Sequence, residues 1–161
     1  MPDRQASVLS SDEGEVFTIG AMKIVSRVVG TQSEDAIELY DLIISGPFTI
    51  DYHVHMTMDE TLCVTEGEIE FIVDGKTFLR KAGSVAHVPR GVHHGFSNLG
   101  PGPARVLALF NPAGHQSDYT NGQRHRLSPR FRWPRKYDSL FSDLTIPWTG
   151  ERHERGDCDH P

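Results

Sequence analysis

The sequence predicts an all-β fold, a sandwich or a barrel, and two observations carry this prediction. Eight apolar or alternating runs, each four to nine residues long, follow one another between residues 22 and 110. The breaks between them contain Gly, Pro, Asp or Asn, which favour turns. Short strands at such close spacing are typical of β-sandwiches and barrels. At 161 residues the chain has the usual size of one domain.

The predicted strands follow in chain order, each recognised by alternation or by a continuous apolar stretch. They are Met22–Val29, Ala36–Ile44, Thr49–His55, Thr61–Val64, Glu68–Val73, Lys76–Arg80, Val85–Val88 and Ala104–Phe110. A further strand, which carries His94, is expected after the tight turn Pro89-Arg90-Gly91. The dipeptide Asp74-Gly75 predicts a hairpin between its two flanking strands, because a two-residue turn favours residues that tolerate positive φ.

Three segments of the chain differ in composition. Residues 1–14 are polar and lack a strand or helix period, which predicts a mobile arm or an edge strand that becomes ordered on a partner. Residues 15–112 are predicted to form the β-barrel, and residues 113–161 a C-terminal extension. Within the extension, residues 124–136 contain six Arg and Lys and no acidic residue. They are interpreted either as a basic lid over an anionic ligand or as a solvated tail along the barrel or a dimer partner.

Composition excludes several classes of function. Sixteen Lys and Arg against twenty-two Asp and Glu leave a net charge of −6, which argues against a nucleic-acid partner. No apolar run approaches the roughly 20 residues of a membrane helix, and the first residues do not resemble a secretion signal. A soluble cytoplasmic protein is therefore expected. Cys63 and Cys158 are expected to be free thiols in that reducing compartment.

Histidines two residues apart mark the candidate site. Residues two apart on a strand project from one face, so His53 and His55 can point at one centre. Glu60 follows after a four-residue turn and begins the next run, which can fold back antiparallel and bring a carboxylate to the same place. His94, after its Pro and Gly turn, supplies a fourth candidate ligand. Together these side chains predict a metal site.

The donor set limits the choice of metal. Three neutral imidazoles and one carboxylate suit Fe(II), Mn(II), Ni(II), Co(II) or Zn(II). An ion that takes five or six ligands would keep room for water or substrate. One divalent transition metal per subunit is therefore predicted.

The spacing around these ligands resembles both motifs of the cupin superfamily. The first motif is similar to His53-x-His55, four residues, Glu60, six residues, Gly67; the second is similar to Gly83, five residues, Pro89-x-Gly91, two residues, His94, three residues, Asn98. Gly46 departs from the pattern, since it precedes His53 by one residue more than is usual. The resemblance runs from about Met22 to Pro112 and implies a double-stranded β-helix barrel, jelly-roll-like, with a metal site.

Within the superfamily, residues 66–71 and 88–98 look most like the small single-domain quercetin dioxygenase-like cupins. This resemblance implies a dioxygenase that acts with O2 on a small enolic, phenolic or polyketide-like substrate, with Glu60 as ligand and base. A second hypothesis is a non-redox cyclase, isomerase or dehydratase, in which Asp51, His87 or His115 moves the proton. A third is a small-molecule-binding protein without turnover, because the fold alone does not determine the reaction.

The parity of the His53 strand leads to two further expectations. Thr49 and Asp51 share the parity of His53, so Asp51 is a candidate acceptor for a ligand imidazole or a general base, with a rim carboxylate in water as the alternative. Ile50, Tyr52 and Val54 are expected on the opposite face. An apolar second face needs a covering layer, which predicts a homodimer.

The remaining candidates follow from position along the chain. His115 and Tyr119 come just after the barrel and are candidate acids, bases or substrate contacts, or loop residues without a role. Residues 111–134 are expected to close part of the cavity mouth. His93 must point away from the metal, His87 faces either the cavity or an interface, and Cys63 is expected to pack as a small apolar side chain. The expected barrel filling is Phe71, Val73, Phe96, Leu107 and Leu109.

Overall fold

The structure is a computed structural model that describes residues 6–115. Its elements in chain order are β1 (Val16–Ile19), β2 (Met22–Val28), α1 (Gly30–Ser33), β3 (Glu38–Ile44), β4 (Phe48–His53), β5 (Asp59–Glu66), β6 (Glu68–Val73), β7 (Lys76–Lys81), β8 (Val85–Val88), β9 (His94–Asn98) and β10 (Ala104–Asn111). The all-β prediction is confirmed. Within the described part of the chain, no helix has the length and apolar character needed to cross a membrane.

The strands form two antiparallel sheets around one core. The six-stranded sheet has the order β1-β2-β3-β10-β5-β8, and the four-stranded sheet has the order β4-β9-β6-β7. Both sheets contribute side chains to one buried apolar cluster, which includes Tyr40, Leu62, Phe71, Phe96 and Phe110. The predicted jelly-roll-like fold is therefore confirmed as two facing sheets that do not close on each other within residues 6–115. The barrel interior is the space between them.

The Asp74-Gly75 hairpin lies where the sequence predicts it. β6 and β7 pair from Glu68 with Lys81 to Val73 with Lys76, and the turn residues have φ of 47° and 72°. Two elements, β1 and α1, are not among the predicted runs. Each is only four residues long, so hydrophobic periodicity carries almost no signal for either.

The N-terminal segment contacts the outer side of β2 through one arginine. Arg27 donates hydrogen bonds to the carbonyls of Ser10 and Ser11 and to the carboxylate of Asp41. Residues 6–14 contain no strand, and residues 1–5 lie outside the described residues. The proposed ordering of this arm on a partner stays a prediction.

Strand β4 contains a bulge that changes its parity. Ile50 lies opposite Phe96 and His53 opposite His94, so Asp51 and Tyr52 together face Gly95 alone. Ile50 therefore packs against the core, whereas the Thr49 hydroxyl bonds that of Ser97 on the outer face at 3.0 Å.

The expected alternation along β4 is therefore wrong, because one extra residue reverses the faces. Thr49 and Asp51 do not continue the face of His53, and Ile50 does not share a face with Tyr52. The continuous apolar outer face that motivated a homodimer is absent from this strand, and the homodimer stays a prediction without that support.

The expected barrel filling is correct for one sheet and wrong for part of the other. Phe71 and Phe96 are 2% and 3% exposed and belong to the core, with Val73 packed against it. On β10 the residues that point inward are Val106, Ala108 and Phe110, whereas Leu107 and Leu109 are half-buried on the other face. The strand alternates as its sequence predicts, but the predicted inward face is the wrong one, because apolar residues lie on both faces of β10.

Candidate metal centre

The four predicted ligands meet inside the barrel. One donor atom from each of His53, His55, Glu60 and His94 lies within 4.8 Å of every other, and all four residues are buried. The shortest contacts run from Oε2 of Glu60 to Nε2 of His94 at 2.6 Å and to Nε2 of His55 at 3.4 Å. Nε2 of His53 lies 3.2 Å from Nε2 of His55. The donor atoms therefore converge on one point.

Main-chain carbonyls orient two of the imidazoles. Nδ1 of His53 donates to the carbonyl of Asp51 at 2.7 Å, and Nδ1 of His94 donates to the carbonyl of Val92 at 3.0 Å. A carbonyl only accepts, so the ring proton lies on Nδ1 in both residues. The lone pair of Nε2 then faces the cluster when the ring is neutral, which is the arrangement typical of metal-binding histidines.

The protonation states within the cluster are coupled. Burial opposes ionisation of Glu60, but hydrogen bonds from His55 and His94 outweigh it and hold the pKa of this carboxyl well below its usual range. Burial likewise lowers the pKa of His94, yet the bond to Glu60 outweighs it, so that this pKa is raised above 6.5. Glu60 is therefore a carboxylate, and a cation bound at Nε2 of His94 would compete with a proton there.

The donor set fits a divalent ion. Two nitrogen atoms that are each about 2.1 Å from one ion, at right angles, lie about 3 Å apart. The 3.2 Å between the Nε2 atoms of His53 and His55 is close to this value. Two imidazole nitrogens at such a distance need a proton or a cation between their lone pairs. The four residues could thus hold a divalent metal ion.

The carboxylate reaches the cluster from the opposite sheet. Glu60 is on β5 in the six-stranded sheet, whereas His53 and His94 are on the paired strands β4 and β9 of the four-stranded sheet. The run that begins at Glu60 therefore brings its carboxylate to the imidazoles as expected, although β5 pairs with β10 and β8 and not with β4. The carboxylate meets the imidazoles across the barrel interior.

Loops at this end of the barrel fix the remaining positions. Gly91 has φ of 81°, a left-handed conformation that suits glycine, and its amide donates to the carbonyl of His55 at 2.8 Å. Arg90 forms hydrogen bonds with both carboxylate oxygens of Asp59, next to Glu60. These contacts tie the turn before β9 to the segments that carry His55 and Glu60.

The secondary candidates lie apart from the cluster, with one exception. His93 points outward and stacks on Tyr52, with ring centroids 5.6 Å apart, as its parity predicts. His87 is exposed on the outer side of β8, where Nδ1 contacts the Thr61 hydroxyl at 2.9 Å. The main-chain carbonyl of Asp51 contacts Nδ1 of His53, and the expected role of the Asp51 carboxylate stays a prediction.

The two cysteines have separate outcomes. Cys63 is a free thiol on the face of β5 opposite Glu60, half-buried, in agreement with its predicted packing. Cys158 lies outside the described residues.

His115 is the exception, because its ring packs directly against a ligand. It is 2% exposed, stacks on Phe110 with centroids 4.1 Å apart, and meets His55 edge-on at 5.1 Å. Its amide donates to Oε2 of Glu38, which also accepts from the Tyr40 hydroxyl. Tyr119 and the rest of the expected cavity closure, residues 116–134, lie outside the described residues.

Sequence reasoning missed Glu38, although a signal for it exists. Glu38 shares the parity of Tyr40, Leu42 and Ile44, which all face inward. A carboxylate on the inward face of an otherwise apolar run is uncommon, because it must find hydrogen-bond donors inside the protein. That parity alone would have placed Glu38 among the candidate site residues.

Comparisons with known proteins agree with the fold. Residues 42–110 match the family described as Cupin domain. Quercetin 2,3-dioxygenase of Bacillus subtilis (strain 168) is 27% identical over 94 residues, which are 58% of this chain and 28% of that protein. A protein of Streptomyces cyaneus named polyketide synthase CurC is 33% identical over 63 residues, 39% of this chain and 41% of that protein. The chain thus spans less than half the length of these curated relatives.

A solved structure extends the comparison to the fold. The polyketide cyclase RemF from Streptomyces resistomycificus superposes with a TM-score of 0.60 at 17% identity, covering 66% of this chain and 80% of that chain. At this identity the likeness concerns the fold. Residues 42–110 thus carry the sequence pattern of the Cupin domain family, and the strands around them fold as in this solved structure.

Proposed function

We propose that this protein is a metal-dependent enzyme that holds one divalent transition metal ion through His53, His55, Glu60 and His94. The observation that carries the proposal is the buried cluster itself, with all four donor atoms within 4.8 Å of one another. Two of its imidazoles are held by carbonyls with Nε2 facing inward. Such preorganisation favours a site that is used, because burying four polar side chains without a ligand is costly.

The charge of the cluster favours an anionic ligand. Three neutral imidazoles and the Glu60 carboxylate contribute one negative charge, so a divalent ion would leave one positive charge in a buried site. A bound ion there supplies Lewis-acid chemistry, which stabilises an enolate or phenolate. The low pKa of Glu60 keeps the carboxylate ionised, which suits it to ligation. A carboxylate with a lowered pKa is a weak base, so it would accept a substrate proton only where a bound ion makes that hydroxyl more acidic. The proposed substrate is therefore a small enolic or phenolic metabolite.

Oxygenation is the leading proposal for the reaction. It is supported by the similarity to quercetin 2,3-dioxygenase from Bacillus subtilis, which is 27% identical over 94 residues. It is also supported by the donor count, since four protein ligands leave positions open on an ion that takes five or six. Glu60 would then act as ligand and base. The rings of Phe110 and His115, which pack against His55, would limit the access of water.

A specific observation favours a second candidate. Two proteins similar to this chain, CurC and RemF, carry polyketide in their names. A non-redox cyclisation or isomerisation of a polyketide-like substrate would use the same cluster and would need a proton carrier beside it. Of Asp51, His87 and His115, the ring of His115 contacts a cluster residue, whereas His87 is on the outer face.

One experiment separates these reactions. The full chain is loaded in turn with Fe(II), Mn(II), Ni(II), Co(II) and Zn(II), mixed with quercetin as an enolic probe, and followed with an oxygen electrode and by mass spectrometry of the products. Oxygen uptake with ring-cleaved product is expected, absent in Glu60→Ala and retained in His93→Ala. Conversion without oxygen uptake would contradict oxygenation in favour of the second candidate. Binding without any product would support a binding protein.

A further inference from the structure

The chain turns back against the barrel directly after β10. Three hydrogen bonds hold residues 111–115 to the segment before β3 and to Glu38, the first residue of β3. They are Asn111 Nδ2 to the carbonyl of Ala36 at 2.8 Å, the Ala113 amide to the carbonyl of Asp35 at 3.0 Å, and the His115 amide to Oε2 of Glu38 at 2.8 Å. The exit from the barrel therefore has a defined path from Asn111 to His115.

Glu38 is a buried anchor for this path. The residue is 3% exposed and lies opposite Phe110 in the pairing of β3 with β10. Its Oε2 accepts from the Tyr40 hydroxyl at 3.1 Å as well as from the His115 amide. A buried carboxylate is tolerated only where donors converge on it. Glu38 therefore fixes the position of the His115 backbone.

His115 and Phe110 pack their rings against His55, one of the proposed metal ligands. The imidazole of His115 stacks on Phe110 at an interplanar angle of 23° and meets His55 at 87°. Phe110 also meets His55 edge-on, with centroids 5.5 Å apart and an angle of 86°. His55 lies two residues after the end of β4, so strand pairing does not hold it and these two rings pack against it instead.

We infer that Glu38 and His115 are positioning residues for the metal centre, an inference that rests on the proposed metal site. Glu38 holds the exit segment, the exit segment holds the His115 ring, and that ring fixes the plane of the His55 imidazole. Groups that orient a ligand from outside the coordination sphere typically change metal affinity by about 10- to 100-fold when they are lost. The role assigned to His115 is thus to orient a ligand by packing.

The test uses the full chain and Co(II), whose visible absorption reports ligand geometry. Four variants are titrated with Co(II) beside the wild type: His115→Ala, His115→Phe, Glu38→Leu and Asp41→Asn. His115→Phe keeps a planar ring, and Glu38→Leu keeps volume but removes the acceptor. Asp41→Asn is the matched control, since Asp41 is also a buried carboxylate of β3 but faces away and pairs with Arg27 and Arg105.

We expect His115→Ala and Glu38→Leu to bind Co(II) at least about 10-fold more weakly, with altered absorption bands. His115→Phe should stay within about 3-fold of the wild type, and Asp41→Asn should lose thermal stability without a change in affinity or spectrum. Thermal unfolding establishes that each variant is folded. If one of the two disruptive variants fails to fold, the other still decides.

Two results would overturn the inference. Tight binding by the wild type together with unchanged affinity and spectrum in the folded His115→Ala or Glu38→Leu variant would overturn it alone and leave the metal site standing. Failure of the wild type to bind Co(II) or any other ion of the proposed set would overturn the metal site and the inference with it.

Discussion

The Nε2 atom of His94 lies 2.6 Å from Oε2 of Glu60, although β9 and β5 belong to different sheets. The contact crosses the barrel interior, where each charge would be costly without the other. Burial lowers the pKa of His94, but the hydrogen bond to Glu60 and the charge of that carboxylate together outweigh burial, and the pKa is raised above 6.5. A proton and a metal ion therefore compete for the same nitrogen atom.

This competition predicts proton release on metal binding. Near pH 6 we expect about one proton to be displaced per ion, because the pKa of His94 is raised above 6.5 and the ring must lose its proton to ligate. Metal affinity should fall as the pH is lowered through the raised pKa of His94, since the protonated ring predominates there. Titration calorimetry with Co(II) in two buffers of different protonation enthalpy measures the count, with His93→Ala as the unchanged control. Binding near pH 6 without proton release would contradict this coupling.

Gly95 is predicted to be intolerant of a side chain because it faces the bulge in β4. A Cβ atom there would lie 2.7 Å from the carbonyl oxygen of Ile50 and 3.0 Å from that of Asp51. Gly95→Ala should cost about 1–3 kcal/mol of stability and displace His53. Gly102→Ala is the matched control, since nothing lies within 4 Å of its Cβ. Denaturant unfolding and Co(II) titration measure both effects, and equal behaviour of the two variants would refute the assignment.

The ligand set was predictable because its spacing is local. His53 and His55 are two apart, and the Pro89-x-Gly91 turn places His94 at the start of its strand, so short-range rules suffice. The bulge at Asp51 and Tyr52 was not predictable, since it depends on pairing with β9, more than forty residues away. The same holds for the sheet that Glu60 joins, because β5 pairs with strands later in the chain.

Aromatic and charged neighbours of the site were harder still to predict. The contact of His115 with His55 requires the chain to fold back after β10, which no periodicity indicates. Leu107 and Leu109 show the limit of alternation, because an apolar run on both faces does not say which face is the core. All these cases depend on contacts between residues that are far apart in the sequence, which local patterns do not predict.

The ion pairs of Asp41 predict a defined pH dependence of stability. Burial raises the pKa of Asp41, but hydrogen bonds from Arg105 and Arg27 outweigh it and bring the pKa below 3.8. The stabilisation is therefore complete above the unfolded value and is lost as the pH falls through the lower folded pKa. Asp41→Asn should cost about 2 kcal/mol at pH 7. Urea unfolding of both proteins from pH 7 to 3 should show this difference shrinking below about pH 4; a constant difference would contradict the assignment.

Two truncations separate the roles of the exit and of the chain beyond it. A chain ending after Pro112 lacks His115 and its bond to Glu38, so its Co(II) affinity should fall about 10-fold or more. A chain ending after His115 keeps these contacts and should retain wild-type affinity. If residues 116–134 close the cavity mouth, the longer chain should still bind quercetin more weakly than the wild type. Equal Co(II) affinity in both truncated chains would contradict the role given to His115.

The metal content of the purified full chain tests the central claim most directly. Elemental analysis after equilibration with a divalent transition metal is expected to find close to one ion per chain, held by the four converging side chains. His55→Ala and Glu60→Ala should lose most of the metal, whereas His93→Ala, whose ring stacks on Tyr52 outside the cluster, should keep it. Full metal retention in both ligand variants, or no metal in the wild type, would contradict the account.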